Sequence, residues 1–158
     1  MNKVIKEENL SALASELHDK KLKIVLAGGC FDVLHIGHVR FLKNAKKEAE
    51  ILMVLIESDE SIKKLKGKDK PINRQKERAE LVASLGFVDY VILLEGIKND
   101  SEYDKIVSLI RPSIIAVTLG DPAIAHKKRQ AELTGAKIRA VIYRIENKST
   151  SDLIRKNE

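Results

Sequence analysis

The residues best suited to chemistry lie together in Gly28-Gly29-Cys30-Phe31-Asp32-Val33-Leu34-His35-Ile36-Gly37-His38. His35 and His38 are three apart around Gly37, a spacing that turns both imidazoles toward one site if a helix begins near Gly37. A helix start there adds backbone N–H donors and a partial positive charge. Gly28 and Gly29 let backbone come close to a ligand. Two imidazoles beside a helix mouth suit a polyphosphate whose charge grows as it reacts. The plainer reading, that both histidines only cap the helix, is disfavoured by their pairing around a glycine after a Gly-rich strand end. A metal site is disfavoured too, because His-x-x-His lacks a clear third ligand. Cys30 reads as a small residue beside the turn, since no base for its thiol is recognisable.

Such a stretch needs a strand before it and a helix after it, and the chain supplies both. A buried strand is predicted over 22–27, and Phe41, Leu42 and Ala45 mark a helix over 37–49. Leu10, Leu13 and Leu17 predict a leading amphipathic helix over 8–19. Further strands are expected over 51–56, 88–94, 113–117 and 137–143. Helices are expected over 75–85 with Asn73 as cap, over 101–110 opened by Ser101-x-x-Asp104, over 123–133 ended by Gly135, and over 149–156. Residues 63–70 read as a lysine-rich loop closed by Pro71, and Gly120-Asp121-Pro122 breaks the fourth strand.

The strands are continuous apolar runs, as in a sheet covered on both faces. Strand and helix alternate, which predicts an α/β fold: a Rossmann-like open parallel sheet of five strands in order 3-2-1-4-5 with helices on both faces. The chain reads as one domain over 1–158, with the leading helix of 1–20 packed on it. The site should sit where the first and fourth strands end, at the point where the crossovers diverge.

Composition narrows the partners. Of 158 residues, 29 are Lys or Arg and 23 Asp or Glu, a net charge of +6 that favours anionic ligands. Aromatics are only 4% and Trp is absent, which counts against a single-strand nucleic-acid binder. No apolar run approaches a membrane span, and no secretory core is visible near the N-terminus. One cysteine excludes an intrachain disulfide, so a cytoplasmic protein is the simplest reading. His18 and His126 lie outside the motif and read as ordinary surface residues.

The stretch around His35 resembles the signature of the cytidylyltransferase-like nucleotidyltransferase superfamily. His35-Ile36-Gly37-His38 also matches class I aminoacyl-tRNA synthetases, but a chain this short has no room for a tRNA-reading domain and no lysine-serine motif is found. Lys63-Lys64-Leu65-Lys66-Gly67, Lys70-Pro71-Ile72-Asn73, Glu77-Arg78 and Val88-Asp89-Tyr90-Val91 resemble the adenylyltransferase part of the bifunctional heptose-phosphate kinase/adenylyltransferases. Gly120-Asp121 resembles that family's turn after the fourth strand, and Arg144-x-Glu146-x-x-Ser149-Thr150-Ser151 its closing motif. Thr118-Leu119 and Asn147-Lys148 depart from the pattern, near where acceptor and base should sit.

The resemblance implies nucleotidyl transfer. An acceptor phosphate attacks the α-phosphate of ATP, favoured over CTP, and pyrophosphate leaves. It implies His35, His38 and Lys66 as catalytic residues, with Lys66 and Lys68 closing from the loop unless they are simply solvated. It implies nucleotide contacts from Gly29, Cys30, Phe31, Asp32, Gly37, Gly120, Asp121 and Arg144. Ser149, Thr150 and Ser151 would bind phosphates at a helix mouth. Mg²⁺ is expected, held mainly by phosphates with Asp32 placed to help. Arg78 would pair with a carboxylate on its own helix. The acceptor would be a sugar phosphate such as heptose 1-phosphate, and a homodimer is compatible. Glycerol-3-phosphate cytidylyltransferase, FAD synthase and a non-catalytic nucleotide- or nucleic-acid-binding module are the alternatives.

Overall fold

The computed structural model describes residues 2–143. The apolar runs form strands β2 (Ile24–Gly29), β3 (Ile51–Ile56), β4 (Tyr90–Leu93), β5 (Ile114–Leu119) and β6 (Lys137–Tyr143), preceded by a short β1 (Val4–Lys6). Between them run α1 (Leu10–Asp19), α2 (Ile36–Lys46), α3 (Asp59–Lys66), α4 (Gln75–Ala83), α5 (Asp100–Ile110) and α6 (Ile124–Thr134). Among the described residues all strands pair parallel, in the order β1-β4-β3-β2-β5-β6.

The five expected strands keep their expected order, and the count is corrected to six. β1 was not foreseen because three residues are too few to show a period. Tertiary pairing makes it a strand: Val4, Ile5 and Lys6 lie against Val91, Ile92 and Leu93 at the sheet edge.

Successive strand residues point to opposite faces and bury two separate clusters. Ile24 and Leu26 pack with Leu10, Leu17, Ile106 and Ile110, so α1, α5 and α6 cover one face. Val25 and Ala27 pack with Phe41, Leu42, Ala79 and Val82, so α2 and α4 cover the other. With both faces covered, the central strands β2, β3 and β5 are largely apolar and buried, while the edge strands β1 and β6 carry lysine or arginine.

Three local expectations are corrected. The lysine-rich stretch is not loop throughout: 59–66 form α3, and the chain turns irregular only from Gly67 onward. Ser58 caps α3 by accepting from Ser61 N at 3.1 Å, with Asp59 and Glu60 in the first turn and lysines in the last. Ile62 is its one buried apolar side chain and Leu65 is exposed, so no apolar stripe marked it. The cap of α4 is Arg74 rather than Asn73, with Glu77 accepting from Arg74 N at 2.8 Å. α5 opens on an Asn99/Glu102 capping box, not on Ser101 and Asp104. The helix expected over 149–156, with Arg144, Ser149, Thr150 and Ser151, lies outside the described residues.

Candidate active site

β2 has β3 on one side and β5 on the other, so the crossovers leaving β2 and β5 open a crevice at the carboxyl ends of the strands. The cleft there has a volume of about 850 Å³, within the range of small-molecule sites. Gly29, Cys30, Phe31, Asp32, His35, Gly37 and His38 line it from the β2–α2 turn, Lys66 from the end of α3, and Gly120 and Asp121 from the β5–α6 turn. Lys68 comes after α3 and is not among the lining residues.

The β2–α2 turn is tightly constrained. Phe31 and Val33 take left-handed backbone, with φ of 50° and 47°, a conformation that is uncommon for non-glycine residues and strained for a β-branched one such as Val33. A Cβ on Gly29 would meet the Phe31 ring at 3.2 Å, so glycine gives that ring its place. Asp32, only 3% exposed, accepts from Val33 N at 3.1 Å, Ile72 N at 2.7 Å and Asn73 N at 2.9 Å. Its carboxylate thereby stitches the turn to the segment before α4.

Arg78 is fully buried and holds the turn from below. Its guanidinium donates to the carbonyls of Cys30 at 2.6 Å, Glu57 at 2.8 Å and Asn73 at 3.0 Å, and to Asp59 Oδ1 at 2.8 Å. The paired carboxylate therefore comes from α3, not from Arg78's own helix as the sequence suggested. The fold brings α3 within reach, and local spacing carries no sign of that.

His35 and His38 together cap the mouth of α2. Gly37 N donates to His35 Nδ1 at 3.0 Å, and His35 N donates to His38 Nδ1 at 3.3 Å. The rings stack with centroids 3.8 Å apart, and Phe31 meets His38 edge-on at 5.4 Å. With Nδ1 accepting, the proton of each neutral ring sits on Nε2. Burial, then the neighbouring His35 and Lys66, push the His38 pKa down to about 4. His38 is thus a neutral N–H donor near pH 7. Capping falls on Nδ1, so it does not compete with a donor role at Nε2.

Lys66 lines the cleft together with Cys30. Burial nevertheless pushes the Cys30 thiol up, with Lys66 offsetting only part of this, which disfavours a thiolate nucleophile. Gly120 supplies a positive φ of 78° at the start of the turn into α6. Asp121 accepts from Ala123 N at 2.8 Å and Lys127 Nζ at 2.5 Å, fastening the α6 mouth at the cleft.

Several lining residues were not foreseen. His126, read as an ordinary surface residue, borders the cleft with its Nδ1 3.3 Å from Asp100. His18 bonds through Nε2 to Ile110 O at 2.8 Å and ties α1 to the end of α5. Glu57 and Tyr103 also line the cleft. Glu57 could have been found from its place just beyond β3, since ligands sit at carboxyl strand ends. Tyr103, on α5, had no such signal.

A family model described as cytidylyltransferase-like matches residues 26–156. The bifunctional protein HldE of Helicobacter hepaticus is 39% identical over 153 residues, covering 97% of this chain and 30% of that protein. HldE of a Nitratiruptor species is 43% identical over 108 residues, covering 68% of this chain and 22% of that protein. The chain therefore spans less than a third of the length of these relatives. Among solved structures, the lipopolysaccharide core biosynthesis protein from Thermoplasma volcanium matches with a TM-score of 0.60 and 30% identity, over 79% of this chain and 97% of that one. Pantoate-beta-alanine ligase from Francisella tularensis matches with a TM-score of 0.67 at 15% identity, over 99% and 77% of the respective chains, a likeness of fold alone.

Proposed function

The chain belongs to the cytidylyltransferase-like family, and on that premise we propose that it is a nucleotidyltransferase moving AMP from ATP to a phosphorylated small molecule, a sugar phosphate such as heptose 1-phosphate, with release of pyrophosphate. The observation that carries this reading is the His35/His38 pair at the mouth of α2, sharing its cleft with Lys66. The choice of AMP rests on the similarity to the HldE proteins.

A phosphate monoester is already a nucleophile near neutral pH, so the protein's task is to align and neutralise charge. An acceptor oxygen attacks the α-phosphorus as the bond to pyrophosphate breaks. His35 and His38 donate Nε2–H bonds to the transferring and leaving phosphates. Lys66 and the N-terminal N–H groups of α2 take up the charge that develops. Lys68, Arg144 and the Ser149-Thr150-Ser151 segment are proposed as further phosphate contacts.

Among the described residues no group of three or more His, Cys, Asp or Glu could hold a metal. Asp32 already accepts three backbone N–H bonds, which favours an orienting role. Mg²⁺ is accordingly proposed to enter on the triphosphate, where it would neutralise phosphate charge.

The test is pyrophosphate release from ATP and CTP with heptose 1-phosphate, glycerol 3-phosphate and FMN as acceptors. ATP with the sugar phosphate should be fastest. Turnover with CTP and glycerol 3-phosphate would move the assignment to that reading, and no release from any pair would overturn transfer altogether.

A further inference from the structure

Building on the transfer reading above, we infer that Glu57, braced by Tyr103, selects the acceptor by taking a hydrogen bond from one of its hydroxyl groups. Glu57 is the first residue beyond β3, and its backbone is clamped on both sides. Its N–H donates to Gly29 O at 3.2 Å, and its carbonyl accepts from Arg78 Nη2 at 2.8 Å. The side chain is thus delivered to the cleft wall beside the histidine-bearing turn.

The two carboxylate oxygens are unequally served. Oε1 accepts from the Tyr103 hydroxyl. Oε2 is buried and meets no donor among the described residues. A buried acceptor left without a partner is costly, so the side chain gains when a donor arrives. Glu57 itself lines the cleft, so the donor that Oε2 needs can come from a ligand seated there. Tyr103 is held as a neutral hydroxyl donor: burial first, then its bond to Glu57, push its pKa up.

Charge decides what that donor is. A triphosphate and an acceptor phosphate are both anionic and avoid a carboxylate. The histidine turn and the α6 mouth lie over β2 and β5, whereas Glu57 lies at β3, on the other side of β2. Lys66, Cys30 and Glu57 line the same cleft, so a phosphate drawn to Lys66 keeps the rest of its molecule within the cleft that Glu57 borders. A sugar phosphate meets both demands, with its phosphate at Lys66 and a hydroxyl at Glu57. A site built to bond a hydroxyl strongly rejects analogues that lack it.

The experiment is calorimetric titration of mannose 1-phosphate and its monodeoxy analogues into wild type, Glu57→Ala, Glu57→Gln and Tyr103→Phe, with a non-hydrolysable ATP analogue present. Wild type should lose about 10- to 100-fold in affinity when one particular hydroxyl is removed, the scale of one hydrogen bond to a charged group. Glu57→Ala should show that loss with the parent sugar and little further loss with the deoxy analogue, a non-additive pair. The isosteric Glu57→Gln, which guards against misfolding of the alanine variant, should lose about tenfold as the charge-assisted bond weakens. Affinity for the ATP analogue should stay within about threefold in every variant, and Tyr103→Phe should fall between wild type and Glu57→Ala. Three results would overturn the inference: an equal deoxy penalty in wild type and Glu57→Ala, no binding of any sugar phosphate to wild type, or weaker Mg²⁺-ATP-analogue binding in Glu57→Ala, which would place the carboxylate on the nucleotide or its ion. Failure of wild type to release pyrophosphate from ATP or CTP would instead overturn the transfer reading.

Discussion

Each of the two histidines divides its work between its ring nitrogens. Nδ1 accepts a backbone N–H at the start of α2, and the neutral ring donates from Nε2. Removing a ring should therefore cost stability and turnover together. His35→Ala and His38→Ala should each lower kcat by about 10²–10³-fold and lower stability by about 0.5–2 kcal/mol. His35→Ser keeps a capping oxygen, so it should regain most of the stability and none of the turnover. Steady-state kinetics beside urea melts on the three variants would check this, and a serine variant as active as wild type would refute it. His38 also sets a pH dependence. Its pKa falls from the ordinary 6.5 to about 4 on folding, so between these values the unfolded chain binds the extra proton. The stability it contributes is complete above about pH 6.5 and drains away as pH falls toward 4, by up to about 3 kcal/mol. Urea midpoints of wild type should drop between pH 7.5 and pH 4.5, and His38→Gln should flatten that drop. Parallel pH profiles for the two proteins would rule out His38 as its source.

At the scale of elements, the site is an agreement among β2, α3 and α4 reached through Arg78. Its guanidinium joins the carbonyl of Cys30 in the motif turn, that of Glu57 beyond β3, that of Asn73 before α4, and the Asp59 carboxylate. Gln75 adds to this by donating to the carbonyls of Ile56 at 3.0 Å and Leu94 at 2.7 Å, tying α4 to the ends of two strands. Arg78→Met should cost roughly 3–5 kcal/mol, because it leaves buried acceptors without donors. Asp59→Asn should cost less, about 1–3 kcal/mol, since the buried guanidinium loses its counter-charge while Asp59 is partly exposed and the three carbonyls keep their donor. Chemical denaturation of both variants is the measurement, and equal losses would show that the ion pair, rather than the carbonyl bonds, holds the junction.

Over the whole molecule, β1 lies at one sheet edge while the cleft opens between β2 and β5, with β4 and β3 in between. Ile5 packs on one face cluster and Val4 on the other, and Lys3 Nζ donates to Leu85 O at 3.2 Å. Removing residues 1–6 should lower stability by about 1–3 kcal/mol, which at this size is several degrees in Tm. ATP affinity should stay unchanged at temperatures where the truncated protein is folded. Thermal melts with calorimetry would test this, and a matching loss of ATP binding would show that the edge strand communicates with the cleft.

The parts of the molecule written in local pattern are legible in the amino-acid sequence. An unbroken apolar run gave β3 its observed bounds, β-branched Ile138, Val141 and Ile142 after Gly135 marked β6, and the helical spacing of Phe41, Leu42 and Ala45 gave the helix whose mouth holds His35 and His38. Buried strands and capped helices are marked by short-range periodicity and polar boundary residues, which a sequence displays. The rest depended on contacts between residues far apart in the chain. β1 is a strand because β4 lies beside it. α3 is a helix whose single buried apolar residue left no stripe to read. Asp59 pairs with Arg78, and Glu57 meets Tyr103, across 19 and 46 residues of chain respectively. Such partners are chosen by the closing of the sheet and its covering helices, a long-range geometry that residue spacing does not encode.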